Sequence, residues 1–271
     1  MRTPITYYGG KQQLSQTISK LLAPHTIYIE PFIGGAAVFF AKEPSPVEII
    51  NDINGNLINF YEVLQQDFPA LEKKITVTLH SRKTHRQAWV IYENPDMFNR
   101  IKRAWAIWVL ANQSFGSMLD GGFGYDLNGT TTLRVNNKRL AFTKELAKRI
   151  ENVQIECCDA LKIISSRDSP ETLFYLDPPY PDTNQGHYNG YSSDDFCNLL
   201  EIISKIKGKF LLSSFRHSAL EEYTKKFSWT QFELKMNKSM SAHSGKYSTK
   251  IEVLTANYTI DAIALGQQRL F

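Results

Sequence analysis

The chain has 271 residues, 42% of them hydrophobic, enough to bury the core of one α/β domain with room for an inserted subdomain. No apolar stretch approaches the roughly 20 residues a membrane-spanning helix needs, and the opening MRTPITYYGGK lacks a signal peptide's apolar core, so a cytoplasmic protein is expected. The net charge of +4 is uneven: residues 65–150 carry fourteen Lys and Arg against seven Asp and Glu, leaving −3 for the rest, a surplus that fits a phosphate-backbone binder or a solvated helical face.

In chain order, Tyr7-Tyr8-Gly9-Gly10-Lys11 combines two aromatics with two glycines that let backbone approach a ligand closely, or simply turn. Thr26 to Ile33 (TIYIEPFI) reads as a strand, and Gly34-Gly35-Ala36-Ala37 opens a helix through Phe39 and Phe40. Strand, small-residue turn and helix form the nucleotide-binding arrangement of α/β folds. The spaced GxGxxG of pyrophosphate binders is missing, which argues against a dinucleotide and leaves room for a cofactor without phosphates. Val47 to Asn51 reads as a second strand with Asp52 at its end, about 20 positions after the glycine turn, where a carboxylate can accept from ribose hydroxyls or cap the next helix.

From about Gln65 to Ile150 the strand-and-turn rhythm stops. Met97 to Phe115 predicts a strongly apolar helix with Trp105 and Trp108 in the core of a helical subdomain. Ser114 to Asn137 places Gly116, Gly121, Gly122, Gly124 and Gly129 among Ser, Asp, Asn and Thr and predicts a long flexible loop. Arg100, Lys102 and Arg103 precede it; Arg134, Lys138 and Arg139 lie within or after it.

Val153 to Cys157 restores the sheet rhythm, with Asp159 at another strand end before a helix from Ala160. Cys157 and Cys158, with one further cysteine, make neither a disulfide framework nor zinc-ligand spacing and read as reduced, mostly buried thiols. Leu173 to Tyr180, LFYLDPPY, is an apolar strand stopped by Pro178, which cannot donate to a ladder. Asp177 thereby stands at a strand's carboxyl end, where open α/β sheets collect ligands, and the two prolines hold it, the Pro178 carbonyl and the Tyr180 ring in fixed relation. A strand ending in an ordinary proline turn is the simpler alternative. The polar stretch Pro181 to Ser192, with His187, Tyr188 and Tyr191, is expected over the site. Helix 193–207, strand 209–215, helix 217–227 and strands 229–236 and 250–258 follow; between the last two lies a basic hairpin loop with Lys238, His243 and Lys246. The six histidines show no i, i+4 or HxH pairing, so no metal is assigned.

In this order YYGGK, IEPFIGGA, IINDIN, CCDAL, LDPPY and EVLTANY resemble the Dam-type DNA adenine N6-methyltransferases of bacteria and phages, over roughly residues 5–62 and 153–258. The resemblance implies a Rossmann-like sheet dependent on S-adenosylmethionine, with residues 1–64 and 151–271 as the catalytic domain and 65–150 as a mainly helical target-recognition insert. It implies Asp177, Pro178, Pro179 and Tyr180 as the catalytic element. Tyr7, Gly10 and Lys11, then Glu30, Phe32, Gly34 and Gly35, then Asp52 and Ile53, then Asp159, Ala160 and Asp177 become the cofactor contacts. Asn112, Ser114, Arg134, Lys138, Arg139, Tyr188, Lys238 and Lys246 become the DNA contacts. Double-stranded DNA is the implied partner, with a cognate restriction endonuclease a further candidate and a monomer or weak dimer the expected state. The chain departs from the family in reading Gly34-Gly35-Ala36 where GxG is common. It also reads NQSFGSMLDGGFGYD where GATC-reading members carry a YNxxGxFNxP-like segment, so GATC is not carried over. The alternatives are transfer to another exocyclic amino group (cytosine N4, RNA guanine N2 or a protein amide) and a DNA-binding relative without turnover.

Overall fold

The computed structural model describes residues 1–181, 191–237 and 249–260. The strands are β1 (Ile27–Glu30), β2 (Val47–Asn51), β3 (Gln154–Glu156), β4 (Thr172–Leu176), β5 (Lys209–Ser214), β6 (Thr230–Asn237) and β7 (Thr249–Ala256). They form one seven-stranded sheet in the order β3-β2-β1-β4-β5-β7-β6. β1 to β5 run parallel, and β7 pairs antiparallel with both β5 and β6. β1 and β4 are neighbours from which the chain winds outward in opposite directions, so the switch point, where α/β sheets open a ligand crevice, lies between their carboxyl ends.

Every residue of β4 is buried, as expected of a central parallel strand covered on both faces. Leu173 and Tyr175 enter one apolar cluster, Phe174 and Leu176 the other. The predicted strand Thr26 to Ile33 ends at Glu30, because Pro31 has no N–H for the ladder.

The first face carries α1 (Ser15–Ser19), α2 (Ala37–Ala41) and α3 (Gly55–Gln66). Between α3 and β3 come α4 (Phe68–Thr76), α5 (Arg82–Glu93), α6 (Arg100–Gln113), α7 (Thr130–Leu140) and α8 (Lys144–Ile150). Trp108, on α6, is fully buried in this layer, whereas Trp105 is half-buried and donates its indole N–H to Thr78. The other face is covered by α9 (Ala160–Ser166), α10 (Ser193–Ile203) and α11 (Ser218–Phe227).

Two expectations are corrected. Ser114 to Asn137 is not one long loop: Ser114 bridges Phe123, Gly124 N–H donates to the Gln113 carbonyl at 2.7 Å, and the chain enters α7 at Thr130. Asp126 accepts from Asn128 and Thr131 N–H and from the Thr130 and Thr131 hydroxyls, and these local bonds replace loop freedom. The cysteines are less buried than expected: Cys157 is exposed and Cys158 half-buried, because β3, which they follow, is an edge of the sheet, and Cys197 on α10 is half-buried. Among the described residues no helix is long and apolar enough to cross a membrane.

Candidate active site

Three segments converge on the switch point. After β1, Gly34 and Ala36 adopt left-handed backbone and reverse the chain into α2. A Cβ on Gly35 would lie 2.8 Å from the Tyr7 Cβ, so the small residue admits the amino-terminal segment rather than a ligand alone. The Tyr61 hydroxyl donates to the Gly34 carbonyl at 2.6 Å. Asn51 ties the ends of β1 and β3 together by donating to the Pro31 and Cys158 carbonyls while accepting from Cys158 N–H. Around this loop lies a cavity of ≈ 360 Å³ lined by Tyr7 to Lys11, Glu30 to Val38, Asn51 to Ile53, Asp159 to Leu161, Tyr175, Asp177 to Tyr180, Tyr191 and Asp195. Every residue assigned from sequence to cofactor or catalysis lines it.

The cavity's polar character is acidic. Glu30 is 2% exposed and accepts from the Tyr28 hydroxyl at 2.5 Å; burial pushes its carboxyl up to about 8, against the opposing pull of that hydroxyl and of Lys42. Asp52 accepts from Gly34 N–H at 3.1 Å and Asn54 N–H at 3.0 Å, and burial still lifts it to about 6. The helix-cap alternative for Asp52 is filled by Asn54, whose side chain receives Asn56 and Leu57 N–H. Asp159 is exposed and caps α9 through one oxygen, which accepts from Leu161 and Lys162 N–H.

Glu30 keeps its proton up to about pH 8 when folded but only to about 4.5 when unfolded. The stability it contributes is therefore complete below about 4.5 and lost as pH rises through about 8. Glu30→Gln keeps an acceptor for Tyr28 and cannot ionise. In thermal unfolding of the cofactor-free protein, its midpoint should track the wild type near pH 4.5 and increasingly exceed it as pH rises to 8. A difference independent of pH would contradict this.

Lys11, 4% exposed, reaches Asp177 Oδ1 at 2.6 Å and the Tyr180 hydroxyl at 2.8 Å. The turn that returns it is closed by Gly10 N–H on the Tyr7 carbonyl at 3.0 Å, and a Cβ on Gly10 would stand 2.9 Å from that oxygen. Tyr180 donates to Glu252 Oε1 at 2.5 Å, and its ring stacks on Phe215 with centroids 4.0 Å apart. Burial, with Asp177 and Glu252 nearby, holds its phenol well above the usual tyrosine range. Tyr180 is thus 7% exposed with one face taken by Phe215, so it is less open than a free stacking plate. Phe215 escaped the sequence reading, and Glu252 entered it only as the first residue of EVLTANY, without a role; its further signal is that it is a lone acid within the apolar strand IEVLTA.

The residues assigned to DNA separate. Asn112 and Ser114 are corrected to interior positions: Asn112 is 2% exposed and accepts from Thr6 N–H and hydroxyl, and Ser114 is fully buried on His85 Nε2 at 2.8 Å. Half-buried Lys138 donates to the Thr3 carbonyl at 2.9 Å, and burial, then Arg2 and Arg134, bring it down to about 8. Arg139 donates to Thr78 O and Asn136, whereas Arg134 is exposed. Tyr188, Lys238 and Lys246 lie outside the described residues. Among the described residues no cluster of His, Cys, Asp or Glu could hold a metal ion.

Known proteins are similar to this chain over most of its length. It is 26% identical to the type II methyltransferase M1.LlaDCHI of Lactococcus lactis subsp. cremoris, over 92% of this chain and 93% of that protein. It is 25% identical to the retron Ec67 DNA adenine methylase of Escherichia coli (93% and 90% covered) and 25% identical to the DNA adenine methylase of Vibrio cholerae (75% and 76%). Residues 7–237 match the model of the D12 class, from the Tyr7 turn through the cavity-lining loops, β4 and Asp177 to the end of β6. The chain belongs to the D12 class N6 adenine-specific DNA methyltransferase family.

Proposed function

We propose that the protein transfers a methyl group from S-adenosylmethionine to the N6 amino group of adenine in double-stranded DNA. The observation that carries this reading is the placement of Asp177 at the carboxyl end of β4, on the rim of an acidic cavity and held by buried Lys11. The donor set fits the cofactor. Asp52, Asp159 and Asp195 offer carboxylates to a cationic, phosphate-free molecule, and Glu30 adds a buried carboxyl group to the same lining. Bound there, S-adenosylmethionine supplies an electrophilic methyl on a sulfonium.

The chain's own residues then prepare the acceptor. The lone pair of an adenine amino group is delocalised into the ring. Asp177 and the Pro178 carbonyl accept its two hydrogens and pull the nitrogen toward tetrahedral geometry, with the lone pair directed at the methyl; the methylated, positively charged amino group then gives up one proton. Asp177, Pro178 and Pro179 act by preorganisation, without a covalent intermediate. Because N6 is not accessible inside a duplex, the base must be extruded, at a cost of a few kcal/mol. Phosphate contacts from residues 65–150, with Arg134 the exposed candidate on α7, and from Lys238 and Lys246 offset that cost. In this reading residues 1–64 and 151–271 catalyse, 65–150 select the target, and the enzyme acts in the cytoplasm as a monomer or weak dimer. A cognate restriction endonuclease is its candidate partner.

The test is single-molecule sequencing of DNA from a methylation-free host expressing the chain. N6-methyladenine confined to one short motif supports the reading. Methylated cytosine supports transfer to N4 instead, and unmodified DNA beside abundant folded protein overturns methylation of DNA.

A further inference from the structure

Glu252 lies on β7, fully buried and outside the cavity lining, yet it ends the polar chain that begins at Asp177. Its Oε1 accepts from the Tyr180 hydroxyl at 2.5 Å and from the Ser213 hydroxyl at 2.7 Å, and stands 3.6 Å from Lys11 Nζ. Its Oε2 is buried with no hydrogen-bond partner among the described residues. Such an atom is costly, and a purely structural position would be filled more cheaply by an apolar side chain. What the carboxylate provides is a second negative partner for Lys11, whose first is Asp177 at 2.6 Å.

We propose that Glu252 is a positioning residue for methyl transfer: by anchoring Tyr180 and sharing Lys11 with Asp177, it keeps Asp177 a strong acceptor for the amino group. This rests on the catalytic reading of Asp177 given above. Without Glu252, Lys11 is neutralised by Asp177 alone, and the Asp177 oxygens are drawn to the ammonium instead of the N6 hydrogens. Among the described residues, the titratable and charged groups facing this pair are Lys11 from the amino-terminal segment, Glu30 at the end of β1, Tyr175 on β4, and Tyr180. Glu252→Gln removes one negative charge from that set and none of its cations.

The test is methyl transfer from labelled S-adenosylmethionine to unmethylated genomic DNA by the full chain. Glu252→Gln is expected to lose on the order of 10-fold to 100-fold in kcat, as for other residues that orient a reacting group through an intermediary, with the cofactor KM nearly unchanged. The acid limb of its kcat profile should move to lower pH, because Asp177 loses a like-charged neighbour and ionises more readily. Glu252→Asp, with the charge kept but withdrawn by one methylene, should show a reduced kcat and a wild-type limb. A kcat loss in Glu252→Gln with an unmoved limb marks a merely structural role and overturns the proposal, as does wild-type turnover. Should Glu252→Gln not fold, Glu252→Asp decides, and undiminished kcat in that variant overturns the proposal. Asp177→Ala, run in parallel, separates the two levels: if it too is active the catalytic reading fails, and if it is inactive while Glu252→Gln behaves as wild type only the role of Glu252 falls.

Discussion

Asp177→Ala is expected to lose on the order of 10² to 10³ in methyl-transfer rate or more, the range for removing one preorganised polar contact to a reacting group. The protein should remain folded. Asp177 is one of two carboxylates beside Lys11, and Glu252 at 3.6 Å still compensates the ammonium, so no lone buried charge remains. Asp177→Asn keeps a carbonyl oxygen that can accept an N6 hydrogen but loses the negative charge, so it should be impaired less than Asp177→Ala. Single-turnover transfer with saturating cofactor isolates the step, and circular dichroism checks the fold. Near-normal turnover by a folded variant removes Asp177 from the mechanism.

Trp108→Ala is expected to destabilise the protein by about 3–5 kcal/mol, the cost of deleting a large aromatic from a packed core. Trp108 is fully buried at the centre of α6, the helix against which α3 and α5 pack. A loss of that size is a large part of the roughly 5–15 kcal/mol that holds a typical domain folded. The effect should reach the site, because the Trp108 carbonyl receives the Asn112 amide and Asn112 in turn receives Thr6, immediately before Tyr7. Equilibrium urea unfolding measures the loss. A change below about 1 kcal/mol with an unaltered m-value would show that α6 does not depend on this side chain.

The parts of the candidate site legible in the chain are those encoded locally. LFYLDPPY announces a buried strand and its stop within eight residues, because an apolar run and a residue without an N–H are properties of neighbours. Asp52 after VEIIN was legible in a similar way, whereas Glu30 was not, because TIYIEPFI reads as a strand through Pro31 to Ile33; its stop at Glu30 brings all three carboxylates to one cavity. The charge surplus of residues 65–150 was equally visible, but which cations remain exposed was not. Lys138 and Arg139 are spent on the Thr3 and Thr78 carbonyls, and Arg134 stays in solvent. Asn112 and Ser114 looked like loop-edge contacts, yet they turned inward because Thr6 and His85, distant in sequence, supply their hydrogen bonds.

What the sequence by itself determined is therefore the succession of strands along the chain, the strand-end positions of Asp52, Asp159 and Asp177, and the family. Only the tertiary structure decided how those groups are tuned. Lys11 and Asp177 are 166 positions apart, and Tyr180 and Glu252 are 72 apart. No local pattern can specify contacts between side chains that burial brings together only when the amino-terminal turn, β4 and the β7 hairpin close on one point. Because desolvation governs ionisation, the protonation of Glu30 and Asp52 depends on that same closure.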